Sequence, residues 1–450
     1  MMKPFSVNEN LGAIKALLSD HLYSQEIKNE ISRFPSQAII GLGQGGGRIA
    51  AEFARFGFPT YLLNSSKSDM EEHKNLIPES RRILTKSTKY PELEGTDKNA
   101  QLGFAIANEN KNLYAKVATD DAIQDAEFVW VCVSLGGGTG NGALKIALTY
   151  LSKVRAARAL PGGKIPLGVI CSLPSKDERG SSFRKNALAG INLIQQLMND
   201  NRIGAALVID NEKMNDYYAK NPLKTYGGTE IDAKSYSNMV VASSLIEICS
   251  LPLLDGRAVF DKTELLTTLS TPGWLSISKY EVDDDDDIET VIKNLFNDNE
   301  VLANYKLDNT VTGAIGILYP TSKNISPKIA DDVYAYTSKL LDAKVNLAIS
   351  KNSRVKKLTL YGLAIYIEPS SRINELMEEL KEWERIEKEQ EEAKKLVATG
   401  LDDFDDFFSN SDALSNTRQK VNLTDLIDNF EEEKVKPRKF RAADLEDLDI

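Results

Sequence analysis

Residues 134–142 read SLGGGTGNG and follow an uncharged run of small, bulky or β-branched residues over 128–135. Such a run reads as a strand buried on both faces, the pattern of a parallel sheet. Glycine has no Cβ, so the loop can turn sharply and aim several backbone N–H groups at one point. Good helix formers with apolar spacing of three and four resume over 143–153. A glycine loop between a buried strand and a helix N-terminus offers unsatisfied N–H groups and a positive dipole end, which is chemistry for phosphate. A second such loop, GLGQGGGRIAAEFARFG, follows the strand that begins at 38–40, with Gly41, Gly43, Gly45, Gly46 and Gly47 in its turn.

Other chemistries are disfavoured. The second loop alone matches a dinucleotide-binding fingerprint, which expects an acidic residue at the end of the next strand to hold a ribose. That strand, 60–63, ends in Asn64, Ser65 and Ser66, so a Rossmann-type oxidoreductase using NAD is the weaker reading. Neither glycine run ends in Gly-Lys-Ser/Thr, which excludes the usual phosphate loop of NTPases. Residues 94–99, EGTDKN, form a third loop ending at a helix start. Its Lys98 suits a terminal phosphate and a solvated turn equally. Asp261 and Glu264, at i and i+3, read from the residues alone as the first turn of a helix favoured by its dipole. Cys132, Cys171 and Cys249 sit in apolar segments as buried thiols. His21 and His73 lie in polar surroundings, without the spacing of a triad or a zinc site.

The elements that must position these loops follow in order. Strands at 60–63, 81–84, 128–133, 167–171 and 206–209 alternate with helices, which means an α/β, doubly wound parallel sheet with ligands at the carboxyl ends of the strands. Residues 1–36 form an N-terminal helical extension with a stripe at Leu11, Ile14, Leu17, Leu18 and Leu22, and the first α/β domain spans 37–232. The helix over 234–250 is apolar on almost every side, as a helix buried between two domains should be. Alternating strands at 312–319 and 358–367 belong to a second α/β domain over 253–370, and the acidic run 283–287 reads as a solvated loop. A long C-terminal helix over 371–399 is stopped at Gly400. The tail, 400–450, suits a disordered segment with interaction motifs: its last fifty residues hold 14 acidic and 7 basic side chains, which is −7 of the chain's net −11. That net charge argues against a general nucleic-acid surface. The longest apolar runs are far short of a membrane span, the N-terminus lacks a secretory pattern, and a cytoplasmic location is expected.

Gly136, Gly137, Gly138, Thr139, Gly140, Asn141 and Gly142 closely resemble the GGGTG(T/S)G signature of the tubulin and FtsZ superfamily, and the upstream glycine run is a second match. The likeness covers about 37–370. The run LNSSKSD at 63–69 and the long C-terminal helix are more similar to the TubZ and PhuZ type of plasmids and bacteriophages. The resemblance implies a GTPase that binds GTP/GDP with Mg²⁺. Gly43, Gln44, Gly45 and Gly46 would contact the α and β phosphates, with Asn64 beside them. Gly136 to Gly140 would wrap the β and γ phosphates, and Gly95 and Lys98 fall in the γ-phosphate sensing loop. Asn211 matches the asparagine that reads the guanine edge. Tyr236 stacking on the base and Asn238 bonding to it is one reading of the central helix; simple helix packing is the other. Asp261 and Glu264 match the family's catalytic acids, with Val259 in place of its asparagine and Glu264 lengthening the second acid. The family expectation is head-to-tail filaments that segregate or position plasmid or phage DNA in a bacterial host, through a DNA-binding adaptor held by the tail and without a membrane. An FtsZ-like division ring is the alternative, disfavoured because the C-terminus lacks the apolar-proline peptide.

Overall fold

The computed structural model describes residues 33–409 except 221, 223, 225–227, 229, 254–255, 259, 298–301, 321–325 and 353–355. The expected N-terminal helix and the tail beyond 409 lie outside the described residues, as does Val259. Residues through Lys381 form one compact unit and those from Glu382 belong to a second.

Eleven strands among the described residues make one sheet. β1 (Gln37–Leu42), β2 (Thr60–Asn64), β3 (Arg82–Leu84), β4 (Phe128–Ser134), β5 (Leu167–Leu173) and β6 (Ala205–Asp210) are parallel and stand in the order 3-2-1-4-5-6. This is the doubly wound order, whose switch point lies between β1 and β4. The sequence explains the choice. β1, β5 and β6 are buried along their whole length, and only helices on both faces can cover strands that apolar. The three cysteines are buried inside this core.

The second half contains β7 (Gly256–Ala258), β8 (Gly273–Val282), β9 (Thr310–Pro320), β10 (Lys344–Asn352) and β11 (Leu358–Tyr366). These strands continue the first sheet. β8 pairs parallel with β6 at three positions, Ala205 with Gly273 through Leu207 with Leu275, and thereby extends the first sheet. Beyond it the order is 8-11-9-10-7, with β8–β11 and β11–β9 antiparallel.

The central helix is Ala233–Cys249, capped by Asp232, whose carboxylate accepts from the Ser235 N–H at 2.9 Å. It is buried at Tyr236, Ser237 and every residue from Val240 to Cys249. Its span with the following turn, Ala233–Leu253, is long and apolar enough to cross a membrane by composition, yet 89% of its most apolar 18-residue stretch is buried inside the protein, so packing accounts for its apolarity. The C-terminal helix is Arg372–Ser409. It passes through Gly400 and includes 401–408, so neither the expected stop nor an irregular tail begins there. Glycine within a helix costs only about 1 kcal/mol, too little to end one alone.

Candidate nucleotide site

The two glycine loops meet at the carboxyl ends of β1 and β4. A helix, Gly43–Ala54, starts directly after β1, and another, Thr139–Ala156, starts after the loop that leaves β4. Their backbones touch so closely that side chains are excluded. A Cβ on Gly43, whose φ is +64°, would lie 2.7 Å from the Gly140 nitrogen, and one on Gly140 would lie 2.4 Å from the Leu42 carbonyl oxygen. Two helix N-termini are thus brought side by side with their free N–H groups at one place, an arrangement that favours anionic phosphate.

A cavity of about 370 Å³ opens there. Among the residues expected from the sequence, Gly43, Gln44, Gly45, Asn64, Lys98, Gly137, Gly138, Thr139, Gly140, Asn211 and Asn238 line it. Gly46, Gly95, Gly136 and Tyr236 are not in its wall. Gly46 serves packing instead, since a Cβ there would sit 2.1 Å from the Cys132 carbonyl oxygen and push its helix off β4. Gly95 supplies a left-handed turn, with φ of +85°. A Cβ on Gly136 would press on Phe183 at 3.0 Å. Tyr236 is buried, stacked on Tyr217 at 6.4 Å between ring centres and tilted against Tyr218 at 5.7 Å. Burial pushes its hydroxyl up to about 12. The geometry therefore matches the packing reading of Tyr236, while Asn238 faces the cavity.

Several wall residues were not singled out from the sequence: Arg48, Asp69, Thr96, Asp97 and Ser134 lie inside the quoted motifs, whereas Ser172, Glu178, Phe183 and Lys234 lie outside them. Asp69 orients two of the expected ones, accepting from Gln44 Nε2 at 3.0 Å and from Asn64 Nδ2 at 3.1 Å. The hydroxyls of Ser65 and Thr96 lie 3.1 and 3.3 Å from that of Thr139. Asp97 and Lys98 both have positive φ, 42° and 64°, a conformation that costs of order 1–3 kcal/mol per residue unless its surroundings impose it. Asn186 imposes it. Its Nδ2 donates to the carbonyls of Lys98 at 2.7 Å and of Gly136 at 3.2 Å, tying the 94–99 loop to the glycine loop.

Three cations line the cavity. Arg48 is paired with Glu72 at 3.1 Å and Lys234 with Glu178 at 3.1 Å. Lys98 has no carboxylate partner among the described residues; its Nζ sits 5.0 Å above the Phe183 ring, at the cavity wall. The exclusion of Cβ atoms, the helix N-termini and this cation fit a polyphosphate. No cluster of three or more His, Cys, Asp or Glu able to hold a metal occurs among the described residues. Of the wall's three carboxylates, Glu178 is paired with Lys234, which leaves Asp69 and Asp97 as those that would hold a hydrated Mg²⁺ brought with phosphate oxygens.

Asp261 and Glu264 are elsewhere. They close a capping box on the helix Lys262–Leu269: Asp261 Oδ1 accepts from the Glu264 N–H at 2.8 Å, and Glu264 Oε2 from the Asp261 N–H at 3.3 Å. Neither lines the cavity.

No protein-family profile matches the chain. It is 29% identical over 261 residues to the tubulin-like protein TubZ of Bacillus cereus, a match spanning 54% of each, so it spans about half the length of that relative. It is 25% identical over 384 residues to the tubulin-like protein CetZ of Thermococcus kodakarensis, covering 83% of this chain and 94% of that one. In structure it is similar to a GTPγS-form protofilament of TubZ from Bacillus thuringiensis serovar israelensis, with TM-score 0.63, 21% identity, and coverage of 83% of this chain and 99% of that one. The last likeness shows the fold. By sequence and fold together, the chain is similar to proteins of the tubulin/FtsZ superfamily, with TubZ and CetZ among the types it resembles.

Proposed function

We propose that this chain is a GTPase that assembles head to tail into filaments, with GTP in the glycine-loop cavity and the catalytic acids supplied by the next copy. The single observation that carries this reading is the meeting of Gly43 with Gly140, which places two helix N-termini at one anion site. Gly43 to Gly45 and Gly137 to Gly140 bind the phosphates through backbone N–H groups, Thr139 adds a hydroxyl, and Lys98 offsets terminal charge. Asn211 and Asn238 bond the guanine edge; losing such a pairing costs about 1–3 kcal/mol, enough to prefer GTP over ATP. Mg²⁺ would offset the charge that develops on the phosphates. Asp261 and Glu264 orient and polarise the attacking water by accepting its hydrogen bonds.

The resemblance to TubZ supports a role in segregating or positioning plasmid or phage DNA in the bacterial cytoplasm. With a net charge of −11, DNA would be reached through an adaptor bound to residues 400–450 rather than directly.

Sedimentation and phosphate release, each with GTP, GDP and ATP, test the proposal. GTP-dependent pelleting with turnover is expected. Equal response to ATP would overturn the base assignment, and no pelleting with any nucleotide would overturn filament formation. Retention of plasmid DNA in the pellet only when a candidate adaptor is added is the result expected of the DNA-positioning role, and no retention with any adaptor would overturn it.

A further inference from the structure

A buried ion cluster joins the base end of the cavity to the C-terminal helix. Arg372, at the start of that helix, is 2% exposed, and Arg184 is fully buried. Arg372 Nη1 lies 2.5 Å from Glu379 Oε1, and Arg184 Nη2 lies 2.9 Å from Glu379 Oε2, so one carboxylate bridges two guanidiniums. Arg372 Nε is 3.4 Å from Asp210 Oδ1, near enough for charge attraction but without hydrogen-bond alignment. Burial alone would lower the Arg372 pKa, but the hydrogen bond and charge of Glu379, with the charge of Asp210, carry it upward.

Each guanidinium also grips a loop of the cavity. Arg372 Nη2 donates to the Pro174 carbonyl at 3.1 Å. Arg184 Nη2 donates to the Ser175 carbonyl at 3.0 Å and its Nη1 to the Glu178 carbonyl. Glu178 lines the cavity, and Asp210 directly precedes Asn211, which lines it too. The Asp210 carboxylate further holds the backbone there, accepting from the Glu212 N–H at 3.1 Å.

We propose that Arg372 and Glu379, which do not touch the cavity, are positioning residues for base recognition. Through Asp210 and Arg184 they set the strand–helix junction at Asn211 and the loop at Glu178, so nucleotide affinity and the seating of residues 372–381 rise and fall together. Removing one member of a buried ionic group leaves the others uncompensated, and the loop it held shifts. Linkage makes the effect reciprocal: a ligand that needs the loops in place must also favour the seated helix. The inference rests on Asn211 reading the base.

The test uses the full chain with GDP and ADP, which bind without hydrolysis. Affinities for both are measured for wild type and for Arg372→Met, Arg372→Lys, Glu379→Gln and Asn211→Ala. Arg372→Met and Glu379→Gln are expected to lower the GDP-to-ADP affinity ratio at least tenfold, and Arg372→Lys to restore part of it. A purely structural role would weaken both nucleotides equally and leave the ratio unchanged, which would overturn the inference. If Asn211→Ala also leaves the ratio unchanged, the base reading itself is wrong and the inference falls with it. Should Arg372→Met not fold, hydrogen exchange of residues 372–381 in the wild type decides: GDP is expected to slow it severalfold, and no change would overturn the linkage.

Discussion

Lys262 Nζ lies 2.6 Å from Glu127 Oε1, and Glu127 Oε2 accepts from the Ser36 N–H at 2.9 Å. Ser36 and Glu127 immediately precede β1 and β4, so the helix bearing Asp261 and Glu264 sits at the amino ends of the strands whose carboxyl ends hold the cavity. β4 has seven residues, which at a rise of about 3.3 Å per residue separates the two places by about 20 Å. No side chain crosses that distance. Acids placed this way do not reach the cavity of their own chain.

The acids can be tested apart from their capping role. Alanine at Asp261 would lose the cap and cost about 1 kcal/mol of helix stability, whereas Asp261→Asn and Glu264→Gln keep capping groups and remove the charge. Both are expected to leave GDP affinity and thermal stability near wild type, abolish most GTP turnover and lengthen filament lifetime. Mixing Asp261→Asn with a cavity-defective variant should restore turnover, because each supplies what the other lacks. Two inactive variants that stay inactive when mixed would contradict action between copies.

Gly140→Ala is expected to weaken GDP binding at least tenfold. Its Cβ would lie 2.4 Å from the Leu42 carbonyl, and such overpacking costs about 1–3 kcal/mol, against about 1.4 kcal/mol for a tenfold change in affinity. Gly47→Ala is the control. Its Cβ would meet only Leu62 Cδ2, at 3.8 Å, so binding should be unchanged and the helix stabilised by roughly 0.5–1 kcal/mol. Calorimetric titration of both variants separates loop contact from helix propensity.

Much of this site was legible because its parts are local. Gly43 and Gly140 each sit in a strand–loop–helix unit that announces itself by composition, and β4 is apolar enough to require a parallel sheet. What escaped was non-local. Arg184 and Glu379 are 195 positions apart, and nothing near either residue marks the other as its partner. The β6–β8 pairing rests on three residue pairs, too few to leave a pattern. Gly400 misled because a glycine signal weighed alone exceeds its cost inside a long helix. Tyr236 and Asn238 are two residues apart on the central helix, so they point to different sides, and only the packing of Tyr217 and Tyr218 tells which faces the cavity.

The central helix is fastened by charge as well as packing. Glu247 Oε2 pairs with Lys279 Nζ at 3.0 Å and accepts from the Tyr361 hydroxyl at 2.7 Å, with Glu247 2% exposed. Lys279→Met should destabilise the fold by about 3–5 kcal/mol, because a buried carboxylate loses its cation. Adding Glu247→Met to it should recover most of the loss, since the charge then no longer needs a partner. Urea unfolding of the single and double variants measures this. Equal destabilisation in both would mean that the contact shape matters and the charge does not.

Asp210 gives the site a pH dependence with two opposite signs. Burial pushes its carboxyl up to about 6, against the charge of Arg372 and the N–H groups of Lys213 and Glu212. Glu375 and Glu379 face the same cluster from the C-terminal helix, and the buried Tyr305 also feels the Asp210 charge. A folded-state value above the ordinary 3.8 means that the proton favours the folded state. The group's contribution to stability is therefore full below about 4 and lost as pH rises through about 6. Binding runs the other way. Protonation removes the counter-charge of Arg372 and loosens the strand–helix junction at Asn211, so GDP affinity should fall as pH drops through about 6. Asp210→Asn should have low affinity at every pH and flatten the profile. Fluorescence titration between pH 5 and pH 8 reads both curves; a wild-type profile no steeper than that of Asp210→Asn would show that this carboxylate does not govern the base end of the cavity.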